Sequence, residues 1–435
     1  MVPVTVLCGG LGAGKTTLLT RLLEDGEREI AVVVNDVGAV NVDADLVAAR
    51  TALGGREVLA LENGCICCGL GDELSRSVIE LWKRHEFDAL VVEASGVSEP
   101  EPIARTFVRG PAGGPYELDT LVTVVDARAF HDAFAGEGEP SRAGPDETGS
   151  KPLADLWLEQ VEFCDLLVVN KCDLVSADER EAVIALLEGL QPRAELVTTE
   201  YGCVDPDRLL ATGRFDHEAV RESAGWKRAV EVGVGDGAGR DDGDSGDGHD
   251  HDHDHDSHHD RDHDDDSDHH DRDHDHSHPP EEYGVEVWSY RRDRPFHPER
   301  LADELATLPP ELVRAKGLCW IAGRERVAIT ASVARGVTTL EATGRWIASL
   351  PETQRAAHRR GQPDLPWDEE WGDREIRLAI IGRGLDRETF EDRLDDCLLT
   401  DDEMAADWSA FENPAPTSMG GTVIVGSSGD EIPDG

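Results

Sequence analysis

The sequence predicts an α/β fold with a mostly parallel sheet, followed by a smaller α+β unit, and three observations predict it. Strand-length apolar runs alternate with helix-period segments over roughly the first 215 residues, the pattern a parallel sheet requires. Residues 233–280 are almost entirely Gly, Asp, His, Ser and Arg, which cannot build a core and read as a disordered linker. Strand and helix patterns then resume over a shorter stretch, and 435 residues exceed one ordinary domain. The boundaries read from these shifts are 1–232 for the first unit, 233–280 for the linker, 281–401 for the second unit and 402–435 for a flexible tail rich in Gly, Ser and acids.

The first strand candidate, residues 4–8, leads straight into Gly9-Gly10-Leu11-Gly12-Ala13-Gly14-Lys15-Thr16. This fits the phosphate-binding loop of a glycine, four residues, then Gly-Lys-Thr. Gly9, Gly12 and Gly14 let backbone N–H groups curl around phosphates, Lys15 reaches the β/γ oxygens, the Thr16 hydroxyl binds Mg²⁺, and Thr17 carries the cradle into a helix. The first unit is therefore expected to be a P-loop NTPase. Further strands are expected at 30–34, 58–61, 89–92, 121–125, 166–169 and 194–198. Among the helices, Leu74, Val78, Leu81 and Trp82 form one apolar stripe for packing on the sheet, while 136–150 reads as a surface loop. Beyond the linker, strands are expected at 283–290, 318–322, 326–331 and 376–381, with helices at 297–308 and 387–394.

Three motifs narrow the chemistry. Asn170-Lys171-Cys172-Asp173 directly follows an apolar strand, and a carboxylate there can accept from both guanine N1–H and N2–H₂, a donor pair adenine does not present. After a phosphate loop this argues for GTP. Glu93-Ala94-Ser95-Gly96 ends another strand, where such enzymes place the acid that orients water or the Mg²⁺ shell, and Gly96 can follow the γ-phosphate through its N–H. The third motif is Cys65-Ile66-Cys67-Cys68, three thiols in four residues, which suits Zn²⁺, Co²⁺ or Cu⁺. Three thiolates leave a tetrahedral ion one ligand short, and Asp36, a histidine or a partner's side chain are the candidates for the fourth. The remaining cysteines, Cys8, Cys164, Cys172, Cys203, Cys319 and Cys397, are scattered and read as packing.

Charge excludes other classes. With 91 acidic against 42 basic side chains the formal charge is −49, so neither nucleic acid nor a membrane surface is an expected partner. Between 241 and 278 there are 17 Asp and 2 Arg, contributing −15, and the remaining −34 on the folded body, with only 6 Lys, points to a high-salt cytosol. No secretory signal precedes the first strand and no apolar run is long enough to span a bilayer, so the expected location is cytoplasmic. The linker also holds 12 of the 17 histidines, a composition suited to weak, multivalent capture of Zn²⁺, Ni²⁺, Co²⁺ or Cu²⁺.

These residues resemble the CobW-type metallochaperone GTPases, whose hallmark is Cys-x-Cys-Cys between the phosphate loop and a Glu-x-x-Gly acid motif. Asn35-Asp36-Val37-Gly38 followed by Val42-Asp43-Ala44-Asp45 resembles that family's first switch, and 93–100 its Glu-x-Ser-Gly-x-x-x-Pro segment. Arg294-Pro295-Phe296-His297 and Arg314-Ala315-Lys316-Gly317 with Trp320 resemble its C-terminal domain, so the likeness covers about residues 2–400 outside the linker. It implies GTP hydrolysis coupled to loading a metal onto a metal-requiring client protein. By motif, Lys15 and Thr16 hold phosphate and Mg²⁺, Glu93 belongs to the hydrolytic switch, Asn170, Lys171 and Asp173 read guanine, and Cys65, Cys67 and Cys68 bind zinc. Ala39 stands where family members often carry a second acid, which puts a metal role at that position in doubt. A cobalt chaperone for cobalamin synthesis, a nickel-insertion GTPase and a non-enzymatic metal buffer are the competing expectations, and the sequence leaves oligomeric state open.

Overall fold

In the computed structural model, residues 1–24, 28–34, 58–60, 71–136, 152–216, 283–361 and 365–426 are described. Seven strands form sheet A: β1 (Val2–Gly9), β2 (Ile30–Val34), β3 (Val58–Ala60), β4 (Ala89–Glu93), β5 (Tyr116–Asp126), β6 (Leu166–Asn170) and β7 (Glu195–Thr198). Their order is β3-β2-β4-β1-β5-β6-β7. Every described pairing in this sheet is parallel, which sharpens the expectation of a mostly parallel one. Central strands covered on both faces read as unbroken apolar runs, hence the fully buried β2, β4 and β6. β5 starts five residues earlier than 121, because Glu117 and Asp119 interrupt its apolar pattern without ending its ladder.

Helices cover sheet A. α1 (Lys15–Glu24) packs Leu18, Leu19, Leu22 and Leu23 on one face with Val32, Val91 and Val124. On the other face lie α2 (Gly71–Arg84), α3 (Pro100–Val108), α4 (Ala127–Phe130), α5 (Leu153–Glu162) and α6 (Ala177–Leu190). Leu74, Val78 and Leu81 of α2 are buried as the stripe predicts, but Trp82 is corrected: it is 48 % exposed, because one further residue rotates it past the edge of the stripe.

The second unit is an antiparallel six-stranded sheet B, ordered β13-β11-β10-β9-β12-β8. Its strands are β8 (Val285–Arg292), β9 (Leu312–Cys319), β10 (Val327–Ala334), β11 (Val337–Arg345), β12 (Ile376–Arg383) and β13 (Thr422–Gly426). The helices are α7 (Pro298–Leu305), α8 (Glu352–Gly361), α9 (Arg387–Asp395) and α10 (Asp401–Met404). The strand expected at 318–322 is corrected to β9, whose Arg314 and Lys316 hid its start from an apolar reading, while Trp320–Ala322 lie beyond it in the core. The tail expected from 402 is corrected up to residue 426: Trp408 is buried, and β13 pairs with β11 from Thr422 to Gly426. Its polar, Gly- and Ser-rich approach hid a single edge strand.

Sheet B lies against α5 and α6. Val285, Val313, Ala334 and Ile381 join the apolar cluster of sheet A's helix face. The polar part of the interface is buried too. Arg314 Nε donates to Glu162 Oε1 at 2.8 Å and its Nη1 pairs with Asp155, with Arg314 fully buried. Ser332 Oγ donates to Asp155 Oδ1 at 2.8 Å and Lys316 Nζ approaches Glu159 at 3.3 Å. The linker expected at 233–280, with its histidines, and the loop expected at 136–150 beyond Gly136 lie outside the described residues. Among the described residues no helix is long and apolar enough to cross a membrane.

Candidate functional site

The carboxyl ends of β1, β4, β5 and β6 meet where strand order turns from one side of β1 to the other, the position at which open parallel sheets bind ligands. The loop after β1 enters α1 at Lys15. Gly14 has φ +104°, and a side chain there would put its Cβ 2.3 Å from Asn170 Nδ2. Only glycine fits both demands. Gly12 has φ +74° with open space around it, and Thr17 is exposed on the first turn of α1.

The fold brings Thr16 and Glu93 together. They are 77 residues apart, yet the Thr16 hydroxyl donates to Glu93 Oε1 at 2.8 Å. Glu93 is buried as the last residue of β4. Lys15 Nζ donates to the carbonyls of Gly9 at 2.8 Å and Gly10 at 3.1 Å, so its ammonium stands inside the loop that the template assigns to phosphate. Gly96 follows the β4 end and lies against Leu11, where a Cβ would come within 2.7 Å of the Leu11 nitrogen. The loop after β1 and the loop after β4 are thus in contact. Cys8, beneath them, is inert: burial pushes its thiol up to about 12, with the Lys15 charge pulling the other way.

At the other end, Asn170 is buried and both ends of its amide are engaged: Nδ2 donates to Ala13 O and Oδ1 accepts from Gly202 N, each at 2.9 Å. It clamps the first loop to the loop after β7. Asp173 is exposed on the short turn Cys172–Leu174. Lys171 sits at φ +62° and its Nζ donates to Asp126 Oδ2 at 2.6 Å.

Three residues absent from the sequence reading contribute here. Asp126 caps α4 through the Arg128 and Ala129 N–H groups while holding Lys171. Trp157 of α5 packs on Gly10, where a Cβ would stand 2.6 Å from its Nε1. Gln160 of α5 is buried and its Nε2 donates to Ser98 O at 2.9 Å and, at the limit of a hydrogen bond, Gly96 O at 3.5 Å. The available signal was one polar amide on the apolar side of an amphipathic helix.

Among the described residues, no group of three or more His, Cys, Asp or Glu side chains is placed to hold a metal ion. Cys65, Cys67, Cys68 and Asp36 lie outside them. Of the scattered cysteines, Cys8, Cys164, Cys172, Cys319 and Cys397 are buried, whereas Cys203 is exposed and is not a packing residue.

Comparison with known proteins agrees with this geometry. A family model described as the CobW/HypB/UreG nucleotide-binding domain matches residues 3–198, and one described as the cobalamin synthesis protein cobW C-terminal domain matches 285–398. The zinc-regulated GTPase metalloprotein activator 1 of Dictyostelium discoideum is 31 % identical over 93 % of this chain and 81 % of its own length. The chain belongs to the CobW family. Two bacterial relatives match just under half of this chain. The zinc chaperone CobW of Pseudomonas aeruginosa is 34 % identical over 44 % of this chain and 55 % of its own. The zinc chaperone YjiA of Escherichia coli is 33 % identical over 49 % and 62 %. The two CobW models end and begin on either side of the Asp/His-rich tract, so it lies between the family's two modules.

Proposed function

We propose that this chain is a GTP-hydrolysing metallochaperone of the cytoplasm that binds zinc at Cys65, Cys67 and Cys68 and transfers it to a client protein. The observation that carries the nucleotide half is the 2.8 Å contact between Thr16 and Glu93 at the mouth of the glycine loop. A hydroxyl and a carboxylate are hard oxygen donors of the kind Mg²⁺ takes, and the ion, when bound, neutralises charge on the β- and γ-phosphate oxygens. Lys15 is placed to exchange its two loop carbonyls for phosphate oxygens. Asp173, exposed at the far end, is the proposed reader of guanine, with Asn170 clamping the loops around the nucleotide and Lys171 fixed by Asp126. Water attacks the γ-phosphorus, its bond to the β–γ bridging oxygen breaks, and GDP leaves while the water's proton passes to phosphate or solvent.

For the metal half, the names of the relatives and the three thiols support zinc, with Asp36 a proposed ligand and cobalt the competitor to titrate beside it. The proposed organisation is a GTPase domain at 1–232, a metal-collecting linker at 233–280 and a C-terminal domain from 281. The test uses the full chain in high KCl. Thr16→Ala and Glu93→Gln are each expected to lower GTP turnover ~100-fold or more, by analogy with the loss of one positioned electrostatic group. The triple change of Cys65, Cys67 and Cys68 to Ser is expected to remove the tightest zinc and spare turnover. A chain that binds zinc but hydrolyses no GTP would refute the enzyme and leave a metal buffer.

A further inference from the structure

Helix α5 presents different faces to the two halves of the molecule. Asp155, Glu159 and Glu162 fall at i, i+4 and i+7, a single stripe, and all three meet sheet B through Arg314, Lys316 and Ser332. The opposite side meets the nucleotide edge. Trp157 lies on Gly10, Gln160 Nε2 holds the Ser98 carbonyl, and the Gln160 carbonyl, in the last turn where helix acceptors lose their partners, takes the Thr123 hydroxyl at 2.7 Å. A buried amide costs free energy unless its hydrogen bonds are made, so Gln160 favours one position of the 96–98 backbone over others. An apolar residue there would pack equally well and favour none.

We propose that Gln160 is a positioning residue for the loop after Glu93, and that sheet B sets its position through α5. The helix is a stiff rod, and Asp155 and Gln160 are about 7–8 Å apart along its axis at 1.5 Å per residue. A slide of about 1 Å imposed at the acid stripe reaches Gln160 nearly undiminished and takes its 2.9 Å bond to Ser98 beyond hydrogen-bond range. Anything that shifts sheet B on α5 therefore shifts the segment against which Leu11 rests. By reciprocity, a nucleotide that moves residues 96–98 changes how firmly sheet B is held. The kinetic consequence rests on the GTPase reading above, whereas the mechanical linkage does not.

The experiment compares the full chain with Gln160→Leu, which keeps the volume and loses the N–H, with Lys316→Met at the rim of the interface, and with the double variant. Amide hydrogen exchange across residues 94–100 is read first, then kcat and KM for GTP. Gln160→Leu is expected to raise exchange in that segment ~10-fold and to lower kcat by a similar factor with KM changed less than ~2-fold, since the guanine end is untouched. Lys316→Met is expected to move exchange and kcat in the same direction by ~2–3-fold, and the double variant to go no further than Gln160→Leu. Unchanged exchange at 94–100 in Gln160→Leu, or fully additive effects of the two changes, overturns the proposal. If Gln160→Leu does not fold, Lys316→Met decides alone, and protection equal to the parent's overturns it. A parent chain that hydrolyses no GTP refutes the enzyme reading instead, and exchange still decides the linkage.

Discussion

Asp155 and Asp165 stand at the two ends of the same stretch of chain, one in α5 under sheet B, the other at the amino edge of sheet A, and their protonation is driven in opposite directions. Burial presses both carboxyls toward the neutral form. At Asp155 the Arg314 charge and hydrogen bond, with Lys316 and Ser332, outweigh burial and hold the carboxyl below its ordinary value. At Asp165 burial wins and raises it to about 7, with Asp119 adding to the rise and the Leu121 N–H and Arg214 opposing it. Asp165 accepts from Leu121 N through both carboxylate oxygens, at 3.1 and 3.2 Å. Depth is therefore a poor guide to charge in this molecule; the fixed partner decides.

The comparison is broken most severely by Arg314→Met. It leaves Asp155 and Glu162 buried with only the more distant Lys316 for a cation and is expected to cost about 3–5 kcal/mol, read as a urea midpoint shift at constant slope near neutral pH. Asp155 then behaves like Asp165, so the loss should be smaller at pH 5 than at pH 8. In the parent the depressed Asp155 gives stability that is present above the ordinary carboxylate pKa and lost only as pH falls through its lower folded value. A loss under about 1 kcal/mol would show that the pair merely breaks even.

Asp165→Asn sharpens the contrast from the other side. A carboxyl raised from 3.8 to about 7 favours the fold fully below pH ~4 and loses that contribution as pH rises through about 7. Three units at about 1.4 kcal/mol each set a ceiling near 4 kcal/mol, roughly halved by the solvent that reaches this edge. The Asn variant should therefore be about 2 kcal/mol more stable than the parent at pH 8 and no more stable at pH 4. Ser332→Ala removes one donor from Asp155 and is expected to cost about 1 kcal/mol. Lys316→Met, at a partly solvated pair, should cost less than about 1 kcal/mol, which is why it can probe the interface without dismantling it.

The meeting of the glycine loop, Glu93 and Asn170 at one sheet edge was legible because these residues lie in short contiguous motifs. Gly9 to Thr16, Glu93 with Gly96, and Asn170 to Asp173 each end an apolar strand, and parallel packing must bring such ends to one side. The clamp role of Asn170 was not legible, since it depends on Ala13 and Gly202 arriving from two other strands. The interface was harder still. Acids at 155, 159 and 162 look like a solvated helix face, and Arg314 and Lys316 look like a break in a strand, until both are seen to face each other. β11 and β13 escaped for other reasons: three threonines and Glu341 interrupt the apolar pattern of β11, and β13 is a five-residue strand directly behind Gly420 and Gly421.

Arg314 lies 152 residues after Glu162 and 159 after Asp155. A ribosome adding about 5–20 residues per second finishes α5 roughly 8–30 s, and sheet A roughly 6–23 s, before it delivers the guanidinium that closes the acid stripe. Through that interval Asp155 and Glu162 stand in water with their charges, and the apolar patch around Val313, Ala334 and Ile381 does not yet exist to cover their neighbours. The order of synthesis thus lets sheet A form before sheet B can dock on it, and a chain arrested before Arg314 would present the glycine loop beside an uncovered, acidic helix.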